Sequence, residues 1–146
     1  MDKTEQFYEI IRTAATVTLA TAAGESVTMR AVSPVLYQKA ILFFTAAGSA
    51  KYRQLRANPH CCVQAGAFFA EADAEFRGAA MLPENRDLRD AYCVKFPDAF
   101  EDGIAFGGRD AEFILLRPTR LTGWAFADGV PAPDGIPTVP FDIPLK

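Results

Sequence analysis

The spacing of apolar and polar residues changes character early in the chain. Phe7 and Ile11 recur at the spacing of one helical face, and Asp2 and Glu5 precede them in a capping-box arrangement. From residues 16 to 21 the pattern becomes the alternation of a half-buried strand. The chain therefore predicts a short opening helix followed by a β-rich region.

Similar runs predict six to seven short strands. They cover residues 16–21, 27–37, 40–45, 61–69, 75–82, 112–117 and 120–127. Pro34 interrupts the second run and Pro118 separates the last two, because proline has no N–H for a sheet ladder. The unbroken apolar run at 40–45 predicts burial on both faces. The acidic, alanine-rich segment 70–74 is predicted to be a loop between two strands.

Two further helices are indicated. The first begins at Ser49 and ends at Asn58, which can adopt the left-handed cap conformation before Pro59. The second begins at Pro83 and places three apolar side chains on one stripe that we expect to pack on the sheet. These are Leu88, Tyr92 and Phe96.

Many short strands with few helices favour a mainly β (α+β) fold, a small antiparallel barrel with peripheral helices. We predict one domain over residues 1–146, with an irregular connection at 98–110 and an extended, proline-rich tail at 129–146. Half of the residues are apolar, which is high for so small a domain and predicts an oligomer.

The net charge and the cysteines of the chain limit which partners and which cellular compartment we expect. The net charge is −3 and the basic residues are scattered, so we expect no nucleic-acid partner. No run is long enough to cross a bilayer and no signal peptide is evident, which predicts a soluble, cytoplasmic protein without a membrane partner. Cys61 and Cys62 are adjacent and Cys93 stands alone, so no disulfide framework is expected.

A metal site at His60, Cys61 and Cys62 is disfavoured. His60 is the single histidine of the chain, and neighbouring residues on a strand point to opposite faces. No second pair of ligands accompanies these residues. We therefore predict no metal site.

The segment between the apolar strand and the Ser49 helix contains groups that can bind an anion. Thr45 and Ser49 offer hydroxyls, Gly48 allows close backbone approach, and Lys51 adds a charge to the first helical turn. The start of a helix also presents free N–H groups and the positive end of its dipole. A phosphate is the expected guest, although neither of the common nucleotide-binding glycine motifs is present.

A second cation lies upstream. Strand alternation places Thr28, Arg30 and Val32 on one face of the second strand. If the third strand pairs with the second, the Arg30 guanidinium and Lys51 converge on one phosphate.

These residues, in this order, resemble the pyridoxamine 5′-phosphate oxidase-related group of FMN-binding split barrels over roughly the first half of the chain. The matching positions are Arg30-Ala31-Val32, Thr45, Ser49-x-Lys51, Leu55 and Asn58-Pro59. The resemblance implies a split β-barrel that forms a homodimer, with FMN in the groove between subunits.

The resemblance also implies roles for individual residues. Arg30 and Lys51 would hold the FMN phosphate, and Thr45 and Ser49 would add hydroxyl or backbone contacts. The backbone at Ala31 and Val32 would lie along the isoalloxazine ring. Trp124, on a late strand, would close over the flavin from the other subunit.

The implied activity is that of a small FMN-dependent oxidoreductase that uses a small-molecule substrate or NAD(P)H, with the redox chemistry carried by the flavin. The stretch 136–144 lacks the basic residues with which the family's oxidases bind the substrate phosphate, so we do not expect oxidation of pyridoxine 5′-phosphate. Two alternatives stay open. One is a non-catalytic carrier or sensor that binds FMN, haem or a deazaflavin, and the other is a barrel that has lost its cofactor and serves as an interaction domain.

Overall fold

The computed structural model describes residues 2–98, 110–126, 136–137 and 139–145. The helices are α1 (Lys3–Thr13), α2 (Ala50–Ala57) and α3 (Arg86–Lys95), the last preceded by a 3₁₀ turn at Pro83–Asn85. The strands are β1 (Val17–Ala23), β2 (Ser26–Val32), β3 (Val35–Tyr37), β4 (Ala40–Ala46), β5 (His60–Ala65), β6 (Phe68–Ala79), β7 (Ala111–Ala125) and β8 (Val139–Pro144). No helix in the described part of the chain combines the length and the apolar character needed to cross a membrane.

The strands form one antiparallel sheet in the order β2-β1-β5-β6-β7-β4-β3, with β8 paired to β7. The predicted antiparallel barrel with peripheral helices is confirmed. The described residues contain eight strands. Pro34 divides the predicted 27–37 run into β2 and β3, part of the proline-rich tail forms β8, and the predicted runs 112–117 and 120–127 form the single strand β7.

The sheet separates two apolar cores, and β4 contributes to both. Ile41 and Phe43 face the core beneath α1 and α2. Leu42 faces the core beneath α3, where it meets Leu88 and Tyr92 of the predicted helical stripe. Alternate β4 side chains thus enter opposite cores, which explains why its apolar run is unbroken.

The predicted loop at 70–74 is wrong. These residues lie inside β6, and the preceding turn is at Gly66, whose φ of +60° suits glycine. Ala70 and Ala72 are buried in the barrel whereas Glu71 faces solvent, so the segment has the alternation of a strand built from small inward residues.

The predicted break at Pro118 is also wrong, because β7 continues through it. Pro118 lies opposite Ala72, where the register between β6 and β7 shifts. A bulge relieves the ladder of the hydrogen bond that proline cannot donate.

The end of α2 differs from the prediction in its cap. Asn58 has φ −143° and ψ 103°, an extended and not a left-handed conformation. Its side-chain oxygen accepts a hydrogen bond of 3.1 Å from the His60 N–H, which leads the chain directly into β5.

Two predictions concern residues at the edge of what the structure describes. The irregular connection at 98–110 lies outside the described residues except for its two ends. Within the predicted tail, β8 is extended as expected and is attached to β7 by the Arg120–Asp142 ion pair.

Candidate functional site

The turn from β4 into α2 has the predicted hydroxyl cap. The Thr45 and Ser49 hydroxyls lie 3.1 Å apart, and Ser49 Oγ accepts a hydrogen bond of 3.3 Å from the Tyr52 N–H. Thr45 is buried and Ser49 is the N-cap of α2, whose first turn contains no acidic residue. The positive end of this helix is therefore left available for an anion.

Arg30 projects from β2 across the neighbouring strand. Its Nη1 donates to the Leu19 carbonyl at 3.0 Å and to Thr21 Oγ1 at 2.8 Å, and its Nη2 donates to Thr28 Oγ1. An arginine has five N–H donors, so these three bonds leave two without a partner among the described residues. The guanidinium is thus held by the barrel and still has donors to offer.

Gln54 of α2 forms hydrogen bonds with the same two threonines that contact Arg30. Its Oε1 accepts a hydrogen bond of 2.6 Å from the Thr28 hydroxyl and another from the Thr21 hydroxyl. Gln54 lies one helical turn after Lys51, so both side chains belong to the same side of α2. We call Arg30, Lys51, Thr21, Thr28 and Gln54 the Arg30–Lys51 cluster.

Arg30 and Lys51 are near enough for the charge of one to affect the other, but not through the strand pairing predicted from sequence. The strand β4 pairs with β3 and β7, whereas β2 pairs with β1. The two cations are near each other because α2 packs across β1, next to the hairpin that carries Arg30. The structural reason that the sequence suggested for their convergence, pairing of β2 with β4, is therefore wrong.

The electrostatics of the cluster favour an anion. Burial lowers the pKa of Lys51, and the charge of Arg30 lowers it further. Burial also lowers the pKa of Arg30. Neither side chain forms an ion pair with a carboxylate in the part of the chain that the structure describes. Two partly desolvated cations, one of them in the first turn of a helix, are a donor set that fits a phosphate monoester.

The other predicted site residues are distributed differently. Ala31 is exposed and Val32 is buried at the end of β2. Trp124 lies on β7, and β1, β5 and β6 lie between this strand and β2 in the sheet. It is 50% exposed and lines an open apolar groove of about 510 Å³ with Phe69 and other apolar residues.

His60, Cys61 and Cys62 alternate as strand residues should. His60 pairs with Asp73, Cys61 faces the core, and Cys62 lies half-buried on the opposite face. Burial raises the pKa of Cys61 to about 12, which keeps this thiol protonated and unreactive at neutral pH. Among the described residues, no group of three or more His, Cys, Asp and Glu side chains is arranged to hold a metal ion.

The elements of the Arg30–Lys51 cluster all lie within the region matched by a known family. A family model described as pyridoxamine 5′-phosphate oxidase matches residues 3–124. The chain belongs to this family. The resemblance seen between Arg30 and Pro59 is thereby confirmed, and the split β-barrel with peripheral helices is the fold of the family.

Solved structures share the fold at low sequence identity. The general stress protein 26 from Bacillus anthracis is 16% identical with a TM-score of 0.65, covering 83% of this chain and 92% of that one. An FAD-binding protein from Mesorhizobium loti is 16% identical with a TM-score of 0.60, at coverages of 83% and 92%. The haem storage protein HutZ from Vibrio cholerae is 17% identical with a TM-score of 0.64, at coverages of 81% and 91%. No curated protein sequence matches the chain significantly.

Proposed function

We propose that the protein binds FMN and that the Arg30–Lys51 cluster holds the phosphate of the cofactor. The observation that carries the proposal is that Thr28 and Gln54 link the Arg30 guanidinium to α2, whose first turn contains Lys51, and that neither cation has a carboxylate partner among the described residues. A phosphate dianion would accept from the two remaining Arg30 donors and from the Lys51 ammonium, while Thr45 and Ser49 shape the turn below it. The backbone at Ala31 and Val32, at the end of the same strand as Arg30, would lie along the ring.

We further propose a homodimer in which the flavin site is completed by the partner. On β2, Val27 and Met29 point away from the barrel interior and are 74% and 68% exposed. Their cross-strand neighbours are Ala22 and Ala20, so this apolar surface is flat enough for another sheet to pack on it. Trp124, which β1, β5 and β6 separate from β2 in the sheet, would supply the ring contact from the partner.

The proposed activity is that of an oxidoreductase acting on a small molecule, with NAD(P)H as a source of electrons. The flavin supplies the hydride chemistry when it is bound. The chain's own residues would bind the phosphate, fix the ring and exclude water, and none need act as a nucleophile. We propose a cytoplasmic location, which is supported by three cysteines that are all free thiols.

The alternative is a non-catalytic carrier or sensor. It is supported by the fold relative from Vibrio cholerae, which is a haem storage protein. The absorption spectrum of the purified protein distinguishes flavin from haem. Mixing the flavin-loaded protein with NADH or NADPH distinguishes the enzyme, whose flavin is bleached and then reoxidised by an acceptor, from a carrier, whose flavin stays oxidised.

The decisive experiment compares FMN with riboflavin, which has the same ring without the phosphate. Arg30→Ala and Lys51→Ala should each weaken FMN binding by about 1.5 to 3 kcal/mol, the usual worth of a charge-assisted hydrogen bond, and leave riboflavin binding almost unchanged. The double variant should lose less than the sum because both side chains contact one phosphate.

Arg86→Ala is the matched control, since it removes an exposed cation at the start of α3. It should affect neither ligand. Equal losses of FMN and riboflavin in the Arg30 and Lys51 variants would show that these residues support the fold or the ring, and would overturn the phosphate assignment.

A further inference from the structure

Gln54 accepts two hydrogen bonds at one atom, and both donors are also partners of Arg30. The Thr21 and Thr28 hydroxyls donate to Gln54 Oε1, and the same two oxygens accept from Arg30 Nη1 and Nη2. The side chains therefore form a closed relay from α2 through two threonines to the guanidinium. Thr21 and Thr28 are direct cross-strand partners in the β1–β2 hairpin, which sets their spacing.

Because both threonine hydroxyls donate to Gln54, this residue determines how they can bind other groups. A hydroxyl has one hydrogen and two lone pairs, so a threonine that donates to Gln54 presents only acceptor capacity to its other neighbours. Both threonines are committed in this way, and Arg30 faces two oxygens whose lone pairs are fixed. Without the amide oxygen, each hydroxyl is free to rotate and donate elsewhere, for example to the other hydroxyl 3.4 Å away.

We propose that Gln54 is a positioning residue that orients Arg30 for the phosphate through Thr21 and Thr28. The inference rests on the proposed function, since it concerns the same phosphate. Gln54 fixes one edge of the guanidinium on the barrel, together with the Leu19 carbonyl, so that the two remaining N–H groups are held toward the ligand. The side chain itself need not touch the cofactor.

The test is a double-mutant cycle read with FMN and riboflavin. Gln54→Leu in the wild-type background should weaken FMN binding about tenfold, which corresponds to the loss of one neutral hydrogen bond, and leave riboflavin unchanged. In the Arg30→Ala background, Gln54→Leu should have no further effect on FMN, because the group that it orients is gone.

Thr28 gives a matched pair that keeps the test independent of Gln54 packing, because its side chain is exposed. Thr28→Val removes the hydroxyl at constant shape and should weaken FMN as Gln54→Leu does, whereas Thr28→Ser restores the hydroxyl and should recover most of the affinity that Thr28→Val loses. Thermal melts of each variant verify that the barrel is folded.

The outcomes separate the two proposals. A Gln54→Leu loss that persists in the Arg30→Ala background, that affects riboflavin equally, or that appears only as a lower melting temperature would overturn the positioning role and leave the phosphate site intact. Wild-type protein that binds FMN no better than riboflavin would overturn the phosphate site and the positioning role together.

Discussion

The surroundings of Lys51 disfavour its charged form. Burial and the neighbouring Arg30 both lower its pKa, so the cofactor-free protein holds a cation that would be better solvated in the unfolded chain. A bound phosphate would reverse the Coulombic part of this effect. Under the proposed function, binding accounts for Lys51 at this position and the stability of the barrel does not.

Lys51→Met should therefore separate stability from binding. The cofactor-free variant is expected to be at least as stable as wild type at pH 7, because Met keeps the aliphatic stem and removes the desolvated charge, while FMN binding weakens. The sign with pH follows from linkage. A lysine with a lowered folded pKa binds protons better in the unfolded state, so its cost disappears as pH rises through the folded pKa toward the ordinary value of 10.5.

Urea unfolding of both proteins at pH 7 and pH 10 measures this. The stability advantage of Lys51→Met should shrink at the higher pH, where Lys51 gives up its proton more readily in the folded protein than in the unfolded chain. A cofactor-free variant less stable than wild type at pH 7 would contradict the explanation, and would indicate that the ammonium makes a stabilising contact.

At the scale of elements, the residue pattern of a short segment predicts the features that depend on that segment alone. The helix α1, the Ser49 cap and the stripe of α3 depend on residues within a few positions of one another, and all are present as expected. The sequence pattern does not predict the full length of the strands β6 and β7, because their continuity comes from pairing with each other. Inward alanines at 70 and 72 pack on that partner, and the bulge opposite Pro118 has no signature in either segment alone.

The residues of the candidate site also fall into two groups, those that the sequence identifies and those that it does not. Arg30, Thr45, Ser49 and Lys51 could be found because they lie in short segments with recognisable order. Gln54 and Thr21 could not, since their role exists only where α2 crosses the β1–β2 hairpin. The one available signal was that Gln54 follows Lys51 by three positions on the same helix.

The attachment of β8 to the barrel requires a glycine on β7. A Cβ at position 123 would lie 2.3 Å from the Ala67 carbonyl oxygen and 2.8 Å from Cζ of Phe141. The Phe141 ring in turn packs against Phe68 of the core, with ring centroids 5.4 Å apart. Close approach of the β5–β6 turn, β7 and β8 therefore depends on the missing side chain.

Gly123→Ala should destabilise the fold by about 1 to 3 kcal/mol, the usual cost of overpacking, with the backbone oxygen as the atom that cannot give way. Gly48→Ala is the control, because a Cβ there meets nothing within 4 Å. Chemical denaturation compares the two. A Gly123→Ala midpoint equal to that of the control would mean that β8 and the Ala67 turn move apart without cost.

At the scale of the whole molecule, the distribution of apolar surface argues for a partner. The described surface exposes Val27 and Met29 on β2 and Trp124 and Phe69 across the sheet, on β7 and β6. All four lie on the outer face of one curved sheet, whereas the cations of the cluster lie on the side covered by α2. A second copy of the chain is the partner that would cover this face and bring a tryptophan toward the end of β2.

The protein is therefore expected to sediment as a dimer that binds one FMN per chain. Met29→Glu places a charge in the middle of the apolar surface of β2 and should shift the equilibrium to monomers and weaken both FMN and riboflavin. The same change at Val94, an apolar residue on α3 that is 87% exposed, should leave mass and affinity unchanged.

Trp124→Ala should weaken both ligands equally, in contrast to the phosphate-specific loss at Arg30. Sedimentation velocity over a range of concentrations, with and without FMN, measures the mass of the species that binds. A monomer with full FMN affinity would refute the shared site, because the proposal requires Trp124 to come from another chain.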